Sequence, residues 1–265
     1  MPFTLAHPAA VLPFVRGRFV TAGLVAGAMA PDMPYFARAA RIPVYAGAWH
    51  EPFLNATTSH SWPGAVTVSL VYALALCGCY RLVHPPLLDL APVQIPAGRS
   101  PTCARSPLVG LGWLVASALV GIASHLVWDA ITHANGSVVP GAGLLRAPMV
   151  GELSWARALR HVSSVVGLLV VAVYVARRLR GMPRRRLGAC RVWTLAVGAG
   201  LVLAAGLVTG WRATAYAGGR SADRAAELVL SQAAKGAGAA AIAAVLLYAA
   251  AWWTTQARAA PRSRP

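Results

Sequence analysis

Acidic side chains are scarce in this chain: seven Asp and Glu stand against 24 Lys and Arg in 265 residues, and Lys235 is the only lysine. Charged residues of both signs make up 12% of the chain and hydrophobic residues 57%, at a mean hydropathy of +0.58, which is not the composition of a soluble enzyme. The arginine excess raises the question of nucleic acid. The arginines cluster in short loops and at the tail, beside no nucleic-acid motif, so no such partner is expected. Cysteine is also rare. Cys77, Cys79, Cys103 and Cys190 have the spacing of neither a zinc knuckle nor a redox motif and read as small hydrophobes. The opening "MPFTLAHPAAVLPF" lacks a basic stretch, a long apolar core and a cleavage site, so the first residues are expected to be retained.

What the chain does have is long apolar runs. A membrane-spanning helix needs about 20 mostly apolar residues, and residues 62–80, 107–131, 190–210 and 234–256 meet that requirement. Residues 161–176 form a shorter fifth run whose flanking arginines can extend its reach by snorkelling. Residues 19–31, ending at Pro31-Asp32, are too short to span and read as a buried or half-inserted helix. The expected fold is therefore all-α, a polytopic helical membrane protein with five to six membrane-embedded helices in contact with the lipid bilayer. Segments 38–61, 81–106 and 132–160, rich in Pro, Gly and Ser, read as connecting loops. Residues 220–232 read as a separate short amphipathic helix with Ser221 as its N-cap. Seven arginines in the loop 177–191 place that loop on the cytoplasmic side. Alternation from there puts the 132–160 loop on the outer side.

The run 107–131 ends in "SHLVWDAITHANG", and its polar residues recur in steps of four. Residues four apart share a helix face, about 5–6 Å apart at Cβ, so His125 and Asp129 can grip one ion, and His133 can reach the same pocket. The plainer alternative is a helix end meeting water and headgroups. His7 in "LAHPAA", Asp32 in "GAMAPDMPYF" and His60 in "TTSHSW" are each weak signals alone. Together with His125 and Asp129 they make the mixed nitrogen and oxygen set that zinc or manganese accepts. Placing His60, His125, Asp129, His133 and His161 on the outer side follows from arginine counting alone. His50 and Glu51 are further candidates for a ligand or a base, and Glu152 and His161 for supporting partners.

The motifs "MPFTLAHPAAVLP", "GAMAPDMPYF", "SHSWPG", "SHLVWDAITH" and "LRHVSSVVGL" occur in an order that resembles the bacterial membrane family labelled domain of unknown function 4184, over most of residues 1–175. The resemblance implies a bacterial inner-membrane protein and no particular reaction. A more distant likeness runs to inner-membrane metal-dependent hydrolases. Their N-terminal His, Pro-Asp, Thr-His-Ser and Ser-His-x-x-x-Asp are matched by His7, Pro31-Asp32, Ser59-His60-Ser61 and Ser124-His125 with Asp129. Their His-Arg-Gly is absent, since residues 55–58 read "NATT". The same order is similar to the all-helical zinc-dependent phospholipase C superfamily, in which His133 resembles a further ligand. That superfamily's late His-x-x-x-Glu has no counterpart, because Val165 stands four residues after His161, and so at most one or two metals are implied.

These readings converge on a metal-dependent hydrolase of an ester or phosphoester, its substrate a lipid or lipid-linked molecule. His7, Asp32, His60, His125 and Asp129 are the expected ligands of a divalent metal, zinc or manganese, and His133 is a ligand or catalytic proton shuttle. Residues 1–175 would form the site-bearing domain and 176–265 a C-terminal helical hairpin. Two rivals remain open: a non-catalytic protein whose polar residues lock helices together, and a transporter, which calls for polar residues near the membrane midplane.

Overall fold

The computed structural model describes residues 3–39, 50–95, 106–132, 147–150 and 153–259. It is helical almost throughout, and among the described residues the only sheet is a two-stranded pair, Pro148–Val150 with Leu153–Ser154. The first long element, α1 (Thr21–Met29), runs into a tight turn at Ala30–Asp32. Among the described residues five helices are long and apolar enough to cross a membrane: α2 (Trp62–Leu90), α3 (Pro107–Thr132), α4 (Trp155–Arg180), α5 (Ala189–Thr214) and α6, whose helix extends over Ala222–Ala259. The expected all-α membrane architecture is thus what the chain forms.

Local chemistry explains most of the boundaries. Ser106 precedes Pro107 at the start of α3 and accepts the Val109 amide at 3.4 Å, the serine-proline entry that suits a helix N-terminus. Ser154 likewise caps α4 through the Arg157 amide at 3.4 Å. At the other end of α4, Arg177, Arg178 and Arg180 stand where the helix dipole favours cations.

Two boundaries differ from the sequence reading. Helix α2 does not stop at residue 80 but continues through Pro85 and Pro86 to Leu90. Proline removes an amide donor, but that loss does not end the element so close to its terminus. The stretch 220–232 is not a separate helix either. No glycine or proline interrupts the chain before Lys235, so it runs unbroken into the last spanning segment. At 1.5 Å per residue this 38-residue helix is about 57 Å long, nearly twice the hydrocarbon thickness of a bilayer.

The chain divides into two compact units, residues 1–80 with 96–181 and residues 81–95 with 182–265. In the first, α1, α2 and α3 share a core of Ala26, Ala30, Ala65, Ala73, Cys77, Ala118, Ile122 and Leu126. The small residues let backbones approach closely, as membrane helices require when lipid supplies no hydrophobic drive between them. A Cβ placed on Gly27 would overlap the Ala118 carbonyl, and one on Gly121 the Leu24 carbonyl. In the second unit α5 packs along α6, with Gly206 and Gly210 facing Ala233 and Gly236 facing Thr209. There Asp89 accepts a two-pronged hydrogen bond from Arg191, Nε to Oδ2 at 3.0 Å and Nη2 to Oδ1 at 2.8 Å. The Tyr248 hydroxyl adds a third at 3.0 Å.

Candidate metal centre

The polar residues of the first unit converge from four separate segments. His7 lies between the turn Thr4–Ala6 and the short helix Pro8–Val11 and is 1% exposed. That segment is seated against α4: the Phe3 amide donates to Ser164 Oγ at 2.9 Å, and Gly167 leaves room for Ala6, whose Cβ would lie 2.8 Å from a Cβ at that position. Asp32 closes the turn after α1 and is also 1% exposed. His60 follows the short turn Ala56–Ser59, just ahead of α2. Ser59 fastens it by donating to the Pro31 carbonyl at 2.7 Å. His125 and Asp129 stand one turn apart near the end of α3, both buried.

Their ligating atoms form a tight group. His125 Nε2 lies 3.3 Å from His60 Nε2, 3.6 Å from Asp32 Oδ1 and 3.5 Å from Asp129 Oδ2. His60 Nε2 lies 3.5 Å from both Asp32 Oδ1 and Asp129 Oδ2. His7 Nε2 is 3.3 Å from Asp129 Oδ1, and its ring stacks on His125 with centroids 3.9 Å apart. Two overlapping triads, His7-Asp32-His125 and His60-His125-Asp129, each have ligating atoms within 4.8 Å of one another and could hold a metal ion.

Hydrogen bonding behind the rings decides where the protons are. His125 Nδ1 is 2.8 Å from the Ala28 carbonyl and His60 Nδ1 is 2.8 Å from the Ala56 carbonyl. A carbonyl only accepts, so each Nδ1 carries a hydrogen, and in a neutral imidazole Nε2 is then a bare lone pair. Two bare nitrogens thus face each other with two carboxylates around them. Asp32 Oδ2 accepts the Thr4 hydroxyl at 2.6 Å, while its buried Oδ1 has no hydrogen-bond donor. Such a ring of acceptors repels itself unless a cation sits among them. Without an ion the cheapest cation is a proton on His60. Burial, the largest influence on that ring, disfavours its charge, but hydrogen bonds to Asp129, Asp32 and the Ala56 carbonyl prevail and raise its pKa to about 9.

The structure therefore brings together His7, Asp32, His60, His125 and Asp129 in one pocket. His133 and Glu152 lie outside the described residues. His50, Glu51 and His161 join neither triad. Two contributors had no sequence signal. Thr4 is an ordinary hydroxyl three residues before His7, and Trp128 reads as one more apolar residue of α3. Its ring lies 6.0 Å from that of His7, and its buried Nε1 has no hydrogen-bond partner among the described residues.

The exposure of the ring atoms is uneven. The His7, Asp32 and His125 side chains are 0–2% exposed, whereas Asp129 is at 10% and His60 at 20%. The pocket is closed on the side of α1 and α3 and reachable past His60, with Tyr35 edge-on at 6.0 Å.

A family model described as "Domain of unknown function (DUF4184)" matches residues 1–250. No curated protein and no solved structure matches the chain.

Proposed function

Since the chain belongs to this DUF4184 family, and its own residues are what remain to argue from, we propose that it is a membrane-embedded metal-dependent hydrolase of an ester or phosphoester. His7, Asp32, His60, His125 and Asp129 are the ligands. The observation that carries this reading is the pair of Nε2 atoms 3.3 Å apart, on two rings whose Nδ1 hydrogens are each taken up by a backbone carbonyl, so that Nε2 is the nitrogen left to face an ion. Carbonyl-fixed imidazoles and hydrogen-bonded carboxylates are how metal ligands are held in orientation. Three imidazoles and two carboxylates suit zinc, which uses fewer of them at once, or manganese, which accepts six ligands and would keep a position for water.

A divalent ion held there would lower the pKa of water towards about 7 and so would supply a nucleophile at neutral pH. The protein's part is to hold the carboxylates and rings in place, bury His7, Asp32 and His125 and leave the His60 side open to substrate. A lipid or lipid-linked substrate fits a pocket at the end of a spanning helix. The proton shuttle is assigned to His133, which follows α3 directly. The site belongs to residues 1–175, with residues 176–265 as a helical hairpin domain. The arginines of 177–191 support an inner-membrane orientation in which the pocket faces away from the cytoplasm.

Metal analysis by mass spectrometry on protein purified without chelator, followed by a hydrolysis screen with phosphate esters and carboxylic esters, tests the reading. A metal-free wild type whose melting is unmoved by zinc or manganese would leave these residues as helix-locking groups. Two further results are expected. Thr4→Val removes the hydroxyl that steadies Asp32 and should weaken metal binding roughly 10–100-fold, as loss of a supporting partner does, measurable by chelator competition. Metal affinity should also fall on acidification, because the ion must displace the proton of His60. With that pKa at about 9 in the empty pocket, against 6.5 ordinarily, the loss is up to about tenfold per pH unit below 9. For the metal-free protein the sign reverses. Its His60 contribution is complete below pH 6.5 and disappears as pH rises through 9.

A further inference from the structure

A second cavity lies in the first unit, apart from the metal centre. It measures about 590 Å³ and sits between the turn after residues Leu12–Phe14 and the last turns of α4. Its wall is aliphatic, formed by Leu12, Leu169, Val170 and Val173. Leu169, Val170 and Val173 are 61%, 42% and 40% exposed on a helix long and apolar enough to span a membrane, a surface suited to contact with hydrocarbon. Its rim is cationic. Arg16 comes from the turn, Arg177 and Arg178 come from α4, and Tyr174 also lines the cavity.

Among the described residues none of these three guanidinium groups meets a carboxylate, in contrast to Arg185 and Arg191, which share Asp89. Of the few acids in the first unit, Asp32 and Asp129 are already committed to the metal centre. Three like charges brought together from two segments without a counterion repel one another. An occupant that relieves this needs negative charge at the rim and hydrocarbon along the wall.

From this arrangement we infer that the groove is a binding site for one anionic phospholipid, its phosphate held by Arg16, Arg177 and Arg178 and its acyl chain laid along Leu169, Val170 and Val173. Guanidinium groups match phosphate oxygens in pairs, and basic pockets at the ends of spanning helices are where anionic headgroups are held. This assignment stands independently of the metal chemistry.

The test is native mass spectrometry and thermal melting of the full chain in detergent, titrated with phosphatidylglycerol, phosphatidylcholine or inorganic phosphate. The wild type should retain one phosphatidylglycerol through detergent exchange and melt higher with it than with phosphatidylcholine. The triple variant Arg16→Gln, Arg177→Gln, Arg178→Gln should lose retention by roughly tenfold or more, since each arginine near an anionic surface contributes about fivefold. The variant Arg180→Gln, Arg184→Gln, Arg186→Gln removes the same charge from neighbouring positions and should retain lipid as the wild type does. Should the first triple variant fail to fold, Val173→Trp fills the wall from an exposed position with the arginines intact, and it too should shed the lipid. Equal retention of the two lipids by the wild type overturns the inference. So does equal loss in both triple variants, undiminished retention in Val173→Trp, an equal response to inorganic phosphate, or a dimer that the groove substitutions dissociate.

Discussion

His125→Ala should abolish divalent-ion binding at the proposed site. The ring of His125 belongs to both candidate triads, so no alternative set among the five proposed ligands replaces it. Its Nε2 is the central atom of the group, at 3.3–3.6 Å from His60, Asp32 and Asp129. The loss of affinity should exceed the roughly 10–100-fold expected when only a supporting partner is removed. A metal present at 1,000 times its Kd stabilises the folded chain by about 4 kcal/mol, so the variant should also melt roughly 10 °C below the loaded wild type. Chelator then separates the explanations. It should lower the melting temperature of the wild type and leave that of His125→Ala where it is. If both respond alike, or if purified wild type and variant carry the same metal, His125 is not a ligand.

Gly121→Val should damage the same site from behind, without touching a ligand. A Cβ at this position overlaps the Leu24 carbonyl and comes within 2.7 Å of the Ala28 amide and 2.9 Å of the Gly27 Cα, all backbone atoms of α1. Backbone cannot rotate away as a side chain does, so α1 has to move off α3, at a cost of about 1–3 kcal/mol or more. Ala28 is also the residue whose carbonyl holds the Nδ1 hydrogen of His125. Displacing α1 therefore frees the imidazole, and Asp32 at the end of α1 is carried off with it. Both the melting temperature and the metal content are expected to fall. Gly112→Val is the control, since a Cβ there meets nothing within 4 Å. If Gly121→Val melted and bound metal as Gly112→Val does, the contact between α1 and α3 would not be what positions the site.

Much of this is legible in the sequence. Apolar length alone announces four spanning helices, because a bilayer demands it of every crossing segment, and the arginines flanking residues 161–176 announce the fifth. The His125-Asp129 spacing announces a shared face, because a helix turn is the same length in any helix. Hydropathy failed where it was used to end helices. Arg81 and His84 close an apolar run, but a helix is held by its backbone, so α2 continues to Leu90. The same confusion of polarity with structure made a separate helix of 220–232. The inward face of the site was not readable at all. That the Ala28 and Ala56 carbonyls deprive two imidazoles of their inner hydrogens depends on backbone positions brought together from distant segments, and neither alanine carries any mark of it. Nor could spacing settle on which side of the membrane His7 would end. The structure places it against Asp129.

The 122 residues separating His7 from Asp129 also dictate an order of events while the chain is made. At a synthesis rate of about 5–20 residues per second, the first histidine waits roughly 6–24 seconds for its aspartate to be produced. Throughout that interval the early segment has no α3 or α4 to lie against. The cluster is therefore complete only once the end of α3 has been made, and until then the opening residues lack the partners that bury them.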